Sequence, residues 1–417
     1  MTSTLDDFVY DPFAPDVMAN PLPFYEVMRE HFPVYYAEKY DTFFLSRFED
    51  VWEFLTLTGN EFTASEGVVF TPGEISHRND GPVPDPPTDP MGMFVRYSSP
   101  TSDRVRQAHG KPLRPGSVGK LEPLIRENVR ARLDVLLPRH RFNLVEDFGG
   151  AVAASTMCSI FRIPLDRAEE LHQVSNEFSR TDHDSPGFNR SPEVLDRLVG
   201  FVIPNIAERR AAGPDGSWPL IDGMLELRVD GRLLTDREIA VNLLPVLVGG
   251  SETVPKILGH GVLELWRHPD QLAAVRADPQ ANSAAAVEEM VRFCGPAQWF
   301  GRTCRVETVV GGRVIQPGQR VAYLTQAANR DPREFDDPEE FRWNRPIPRT
   351  VGFGRGQHFC MGTHLARLEL RLMLEEFLTC VASYDIDVAN AVRRPSNFQW
   401  GYSDIPVVIR ALADVTA

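Results

Sequence analysis

Between Thr235 and His268 the chain reads TDREIAVNLLPVLVGGSETVPKILGHGVLELWRH. Thr235 and Glu238 open it as a capping box, in which each side chain accepts from the other's free backbone N–H. Beyond the cap the apolar residues lie on most sides rather than on one stripe, the pattern of a helix that runs through a core. The segment also carries two interruptions. Pro245 and Pro255 each lack an N–H and predict distortion, and an acid as deep in apolar surroundings as Glu252 is costly without a purpose or a partner.

The rest of the chain is built to enclose such a helix. PLPFYEVMREHF and EDVWEFLTL have helical spacing, whereas VYYAEK and TFFLSR between them read as strands. A long irregular stretch runs from about Ser65 to Thr101, of a length that in a compact chain is usually functional. From Leu121 to about Val275 the pattern is mostly helical, with PLIRENVRARLDVLL and SPEVLDRLVGFVIPNIAERRA before the long helix. After it come the helix SAAAVEEMVRFC, short strands within GRTCRVETVVGGRVIQPGQRVAYL, the meander NRDPREFDDPEEFRWNRPIP, and a last long helix in MGTHLARLELRLMLEEFLTC. The expected class is mainly α with a smaller β-containing portion.

Charge and composition exclude several functions. The 417 residues carry a formal net charge of −14, which argues against a nucleic acid or an anionic membrane as the principal partner. The start, MTSTLDDFVYDPFAP, has neither the basic region nor the apolar run of a signal peptide, and no apolar run approaches the ~20 residues of a membrane span. A cytoplasmic protein is expected. The five cysteines, Cys158, Cys294, Cys304, Cys360 and Cys380, include no CxxC pair and read as reduced thiols.

Only Cys360 keeps unusual company, in FGRGQHFCMG. It precedes a helix, whose dipole and free N–H groups favour a thiolate, and the flanking glycines let backbone amides approach the sulfur. Such a thiolate is a good ligand for a soft or borderline metal. Zinc is a poor occupant, because His358 and His364 complete no paired set. A nucleophilic role would need a His–Asn or His–Asp relay, which the sequence neither advertises nor excludes.

The stretch resembles the haem-thiolate loop of the cytochrome P450 monooxygenases, F-G-x-G-x-[HR]-x-C-x-G, through Phe353, Gly354, Gly356, His358, Cys360 and Gly362. Two further family patterns stand where the resemblance requires them: Glu289 and Arg292 as E-x-x-R ahead of the meander, and Gly249, Gly250, Ser251, Glu252 and Thr253 as [AG]-G-x-[DE]-T in the long helix. The resemblance spans essentially the whole chain and implies one P450 domain over residues 1–417. That fold is a triangular prism with haem between the long oxygen-site helix and the helix following Cys360. It further implies haem b with Cys360 on the iron, and Phe353, Gly354 and Gly362 shaping the loop. Arg106, Arg302 and His358 would pair with the propionates, while Gly250, Glu252 and Thr253 handle oxygen and protons. The Glu289–Arg292 pair would tie its helix to the meander.

The activity so implied is insertion of one atom of O2 into a small, largely apolar organic substrate. Hydroxylation leads, with O-dealkylation or epoxidation open to the same oxidant. Electrons would come from an external ferredoxin and reductase, for which Lys111, Arg114 and Arg355 offer a local basic patch. The pocket is expected between the irregular stretch, the helix between Asn176 and Ile206, Val248, the segment PAQWF and the segment QWGY, with Gln298, Trp299, Trp400 and Tyr402 in its walls. The alternatives are a peroxide-using or isomerising enzyme of the same fold, or a haem gas sensor. The chain departs from the pattern at Ser102, where many bacterial members have a histidine beside a propionate, and at Val254, which replaces a second threonine.

Overall fold

The structure is a computed structural model that describes residues 5–57, 60–76, 93–97, 99–179 and 191–416. The long helix spans Asp236–Arg267. Its capping box forms as expected: Glu238 N–H donates to Thr235 Oγ1 at 3.3 Å, and Thr235 N–H to Glu238 Oε2 at 2.7 Å. Arg232 reaches the same carboxylate with two bonds of 2.9 and 2.6 Å and, together with the Thr235 contacts, lowers its pKa to about 2 against the effect of burial. Thr235→Ala removes one side of the box, and we expect it to cost about 1 kcal/mol in urea unfolding.

Both prolines lie inside this helix, which continues through them. Pro255 deprives the Ser251 carbonyl of its helical donor. The neighbouring backbone closes in at that point: a Cβ on Gly149 would lie 2.9 Å from Pro255 Cα. Gly149 belongs to a wide π-type turn, Leu144–Gly150, which opens directly into the helix Ala151–Phe161. The helices Ala168–Ser179, Pro192–Ala212, Pro279–Cys294 and Thr363–Cys380 complete the wrapping, so the long helix is enclosed as its composition requires. One amendment concerns apolar length. Leu144–Phe161 is long and apolar enough to cross a membrane by length and composition alone, but 67% of it is buried within the protein, as befits a core helix.

The main sheet has five strands in the spatial order Val34–Ala37, Thr42–Leu45, Arg320–Leu324, Trp299–Cys304, Phe62–Thr63. Thr42–Leu45 and Arg320–Leu324 run parallel and the other pairs antiparallel. Every residue of Thr42–Leu45 and of Arg320–Leu324 is buried, so neither strand shows the inside–outside alternation of a half-exposed one. Arg302 lies opposite Val321 near the middle of this sheet. A second sheet joins Arg141–Asn143, Pro406–Ala411 and Val381–Ile386, and Asn143 Oδ1 caps the π-type turn by accepting from Val145 and Glu146 N–H.

The meander is anchored by the Glu289–Arg292 pair, both side chains fully buried. Arg292 donates twice to Glu289, each bond 2.7 Å, and again to the carbonyls of Asn329 and Pro338 at 2.8 and 2.9 Å. Arg345 from the meander adds a contact of 3.3 Å to the same carboxylate.

Candidate active site

The loop before the last long helix is set by its glycines. Gly354 and Gly356 have φ of +68° and +70°, a left-handed backbone costly for other residues, and a Cβ on Gly356 would lie 2.4 Å from the Leu55 carbonyl. Cys360 N–H donates to the Phe353 carbonyl at 2.9 Å, closing the loop. Arg367 lies 4.6 Å over the Phe353 ring, fastening the loop to the helix that follows it. A Cβ on Gly362 would lie 3.9 Å from Cys360 Sγ, so this glycine keeps the backbone close to the sulfur.

Burial pushes the Cys360 thiol above its ordinary range, against the opposing pull of the Gly362 amide, Arg106 and Arg367. A deprotonated sulfur in a desolvated position is held best by a metal cation as its partner. Cys360 nevertheless keeps exposed surface, so a ligand can reach it.

The expected cations converge on this loop. Arg106 Nη2 donates to the Phe359 carbonyl at 2.5 Å. His358 feels Arg302 and Arg106 after burial, and all three act to keep its ring neutral. The buried Arg302 Nε and His358 Nε2 have no hydrogen-bond partner, and neither has the buried Oγ of Ser102, one turn before Arg106. Unpaired donors of this kind around an accessible thiol fit a group that brings both a thiolate-binding metal and carboxylates, as haem does. Arg355, by contrast, lies 4.0 Å over the Trp52 ring and donates to the Trp52 carbonyl, which occupies it in packing. Lys111 and Arg114 are exposed.

On the long helix, Ser251 Oγ bonds the Leu247 carbonyl and Ser175 Oγ, each at 3.0 Å. Glu252, next in sequence, is buried and held from two sides, by the Lys256 ammonium one turn on and by Gln399 Nε2 at 2.9 Å. Thr253 follows, partly buried. Gly250 has a packing duty that the sequence reading did not assign: a Cβ there would meet Met157 Sδ at 2.4 Å, whereas one on Gly249 would meet nothing within 4 Å.

The pocket residues do not gather as expected. Gln298 is buried and committed, accepting from Tyr25 OH at 2.9 Å and donating to the Ser396 carbonyl. Trp299 is fully buried, stacks on Phe70 and donates to the Asn397 carbonyl at 2.7 Å, so it belongs to the core. Trp400 and Tyr402 pack on His260 at 5.9 and 5.2 Å, with Arg393 over both rings. Val248 and His260 are separated by about 18 Å of helix at 1.5 Å per residue, so these two aromatics do not share a small cavity with Val248. The reason is topological: QWGY runs alongside the helix, and the residue it presents at Glu252 is Gln399. Residues 77–92 of the irregular stretch, and residues 180–190 between the helices Ala168–Ser179 and Pro192–Ala212, lie outside the described residues.

Sequence reasoning missed Gln399, Arg345, Lys256 and Glu146. Lys256 could have been found from its i,i+4 spacing to Glu252. The other three depend on contacts between distant segments and leave no local signal.

Comparison with known proteins gives a consistent result. Residues 283–400 match the family described as Cytochrome P450. A Mycobacterium tuberculosis protein described as cytochrome P450 123 is 30% identical over 97% of this chain and 98% of its own length. Linalool 8-monooxygenase of Pseudomonas putida is 30% identical over 76% of this chain and 77% of its own. Among solved structures, a mutant of P450 EryK in complex with erythromycin B superposes with a TM-score of 0.80 at 27% identity, over 95% of this chain and 97% of that one.

Proposed function

This chain belongs to the cytochrome P450 family of haem-dependent, oxygen-incorporating oxidoreductases, and on that premise we propose that it hydroxylates a small, largely apolar organic molecule in the cytoplasm. Electrons would come from an external ferredoxin and its reductase, docking at a face that includes Lys111 and Arg114. The substrate class follows the name of the linalool 8-monooxygenase, a relative over three quarters of the chain.

Bound haem b supplies a thiolate-ligated iron at which O2 is activated. The protein's part is to hold and to feed that centre. Cys360 would ligate from the loop, while Arg106, Arg302 and His358 would pair with the two carboxylates. Thr253 would offer a hydroxyl there, and Glu252 would pass protons toward it. Phe353, Gly354 and Gly362 keep the loop in the shape that presents the sulfur. The observation that carries this reading is the meeting of an accessible Cys360 with the unpaired donors of Arg302 and His358.

The direct test is the reduced, CO-bound spectrum, followed by a screen for molecules that shift the spin state. Thr253→Ala is expected to cut product per electron pair by about 10²-fold, the lower range for a positioned proton-transfer group, with the lost electrons appearing as peroxide. Unchanged product and peroxide yields would remove Thr253 from the mechanism.

A further inference from the structure

We propose that Lys256 is the proton donor to Glu252, and that Glu146 is where protons enter this route from solvent. The inference deepens the monooxygenase reading above, since it rests on Glu252 serving the oxygen side.

Of the 44 basic residues, the only lysines are Lys39, Lys111, Lys120 and Lys256; the rest are arginines. The one cation on the catalytic acid is therefore of the type that can release a proton, whereas arginine stays charged at any working pH. Both members of a pair that could simply have been apolar are buried: the Lys256 side chain is 13% exposed and that of Glu252 4%. Burying two charged groups is a poor route to stability, so their presence asks for a use.

Geometry gives the pair a way out. The turn Leu144–Gly150 lies along the long helix on both sides of Lys256: Gly149 meets Pro255, and a Cβ on Gly259 would lie 2.6 Å from Val145 Cγ2. Glu146 sits between those two contacts, and its carboxylate and the Lys256 ammonium each shift the other's titration. Its side chain is 41% exposed, so it reaches solvent. The C-terminal segment closes the other side, with Gln399 on Glu252 and Gly401 against the Lys256 stem, where a Cβ would meet Lys256 Cβ at 3.5 Å.

The charged and titratable groups around Lys256 are thus Glu252 on its own helix, Glu146 on the π-type turn, His172 bonded to Glu146 at 2.7 Å, and Arg394, which also acts on Glu146. Burial lowers the Lys256 pKa to about 7, against the pull of Glu146. In the transfer, a Lys256 Nζ–H bond breaks and a Glu252 O–H bond forms. The neutral amine then takes a proton from solvent through the Glu146 carboxyl, and no electrons move. Below pH ~7 the donor is loaded; as pH rises through that value it empties, so proton delivery falls.

Lys256→Arg separates proton donation from mere ion pairing, because it keeps the charge. It should leave haem binding and the reduced, CO-bound spectrum intact. Product per electron pair should fall about tenfold or more, and the fall in yield above neutral pH should disappear. Glu146→Gln should lower the yield in the same direction; no change there would overturn Glu146 as the entry point. Independently of turnover, lysine 13Cε NMR of the diamagnetic CO-bound protein gives only four lines, and Lys256→Arg identifies one of them. That line should titrate near neutral pH and move in Glu252→Gln. Titration in the ordinary lysine range near 10.4, or a Lys256→Arg enzyme with wild-type yields and pH profile, would overturn the proposal. Because the NMR needs no substrate, its failure is distinct from failure of the monooxygenase reading.

Discussion

Cys360→His is expected to abolish the thiolate-type Soret band of the reduced, CO-bound protein and to bring product formation down to background. The substitution removes the one sulfur that the loop presents and puts in its place an imidazole, which donates far less electron density to an iron. The fold should survive, because Cys360 is exposed and contributes little packing. Circular dichroism and urea unfolding close to wild type, combined with the lost band, would show that the effect is chemical. A thiolate-type band that persisted would mean that another residue is the ligand.

The second large effect is on stability. Glu289→Gln should destabilise the protein by about 3–5 kcal/mol, because it leaves the buried Arg292 and Arg345 guanidinium groups without their shared carboxylate. Both members of the Glu289–Arg292 pair are fully buried, so water cannot take the carboxylate's place. Against a typical total of about 5–15 kcal/mol, a loss of this size would lower the urea midpoint sharply and reduce the haem retained on purification. The physical route to the haem runs through the meander, since Arg292 also holds the carbonyls of Asn329 and Pro338, upstream of the cysteine loop. Wild-type unfolding and haem content in this variant would reduce the pair to an incidental contact.

Much of this was legible along the chain because it is local. Helix ends follow from side chains within one turn of each other, as with Thr235 and Glu238. The left-handed glycines of the cysteine loop and the one-turn spacing of Glu289 and Arg292 are likewise written in short stretches. The substrate wall was not legible. Trp299 and Trp400 looked like pocket aromatics, yet Trp299 stacks on Phe70 and Trp400 on His260, partners that no spacing rule connects.

By itself the sequence determined the class of fold and the family, since both rest on motifs whose residues lie within a few positions of one another. Tertiary structure alone decided what surrounds the buried acid of the long helix. Glu252 lies between Lys256 of its own helix and Gln399, almost 150 residues away, with Glu146 from a third segment nearby. Electrostatic and hydrogen-bond partners act over a few ångströms of space regardless of chain separation, and only the folded chain fixes which groups come within that range.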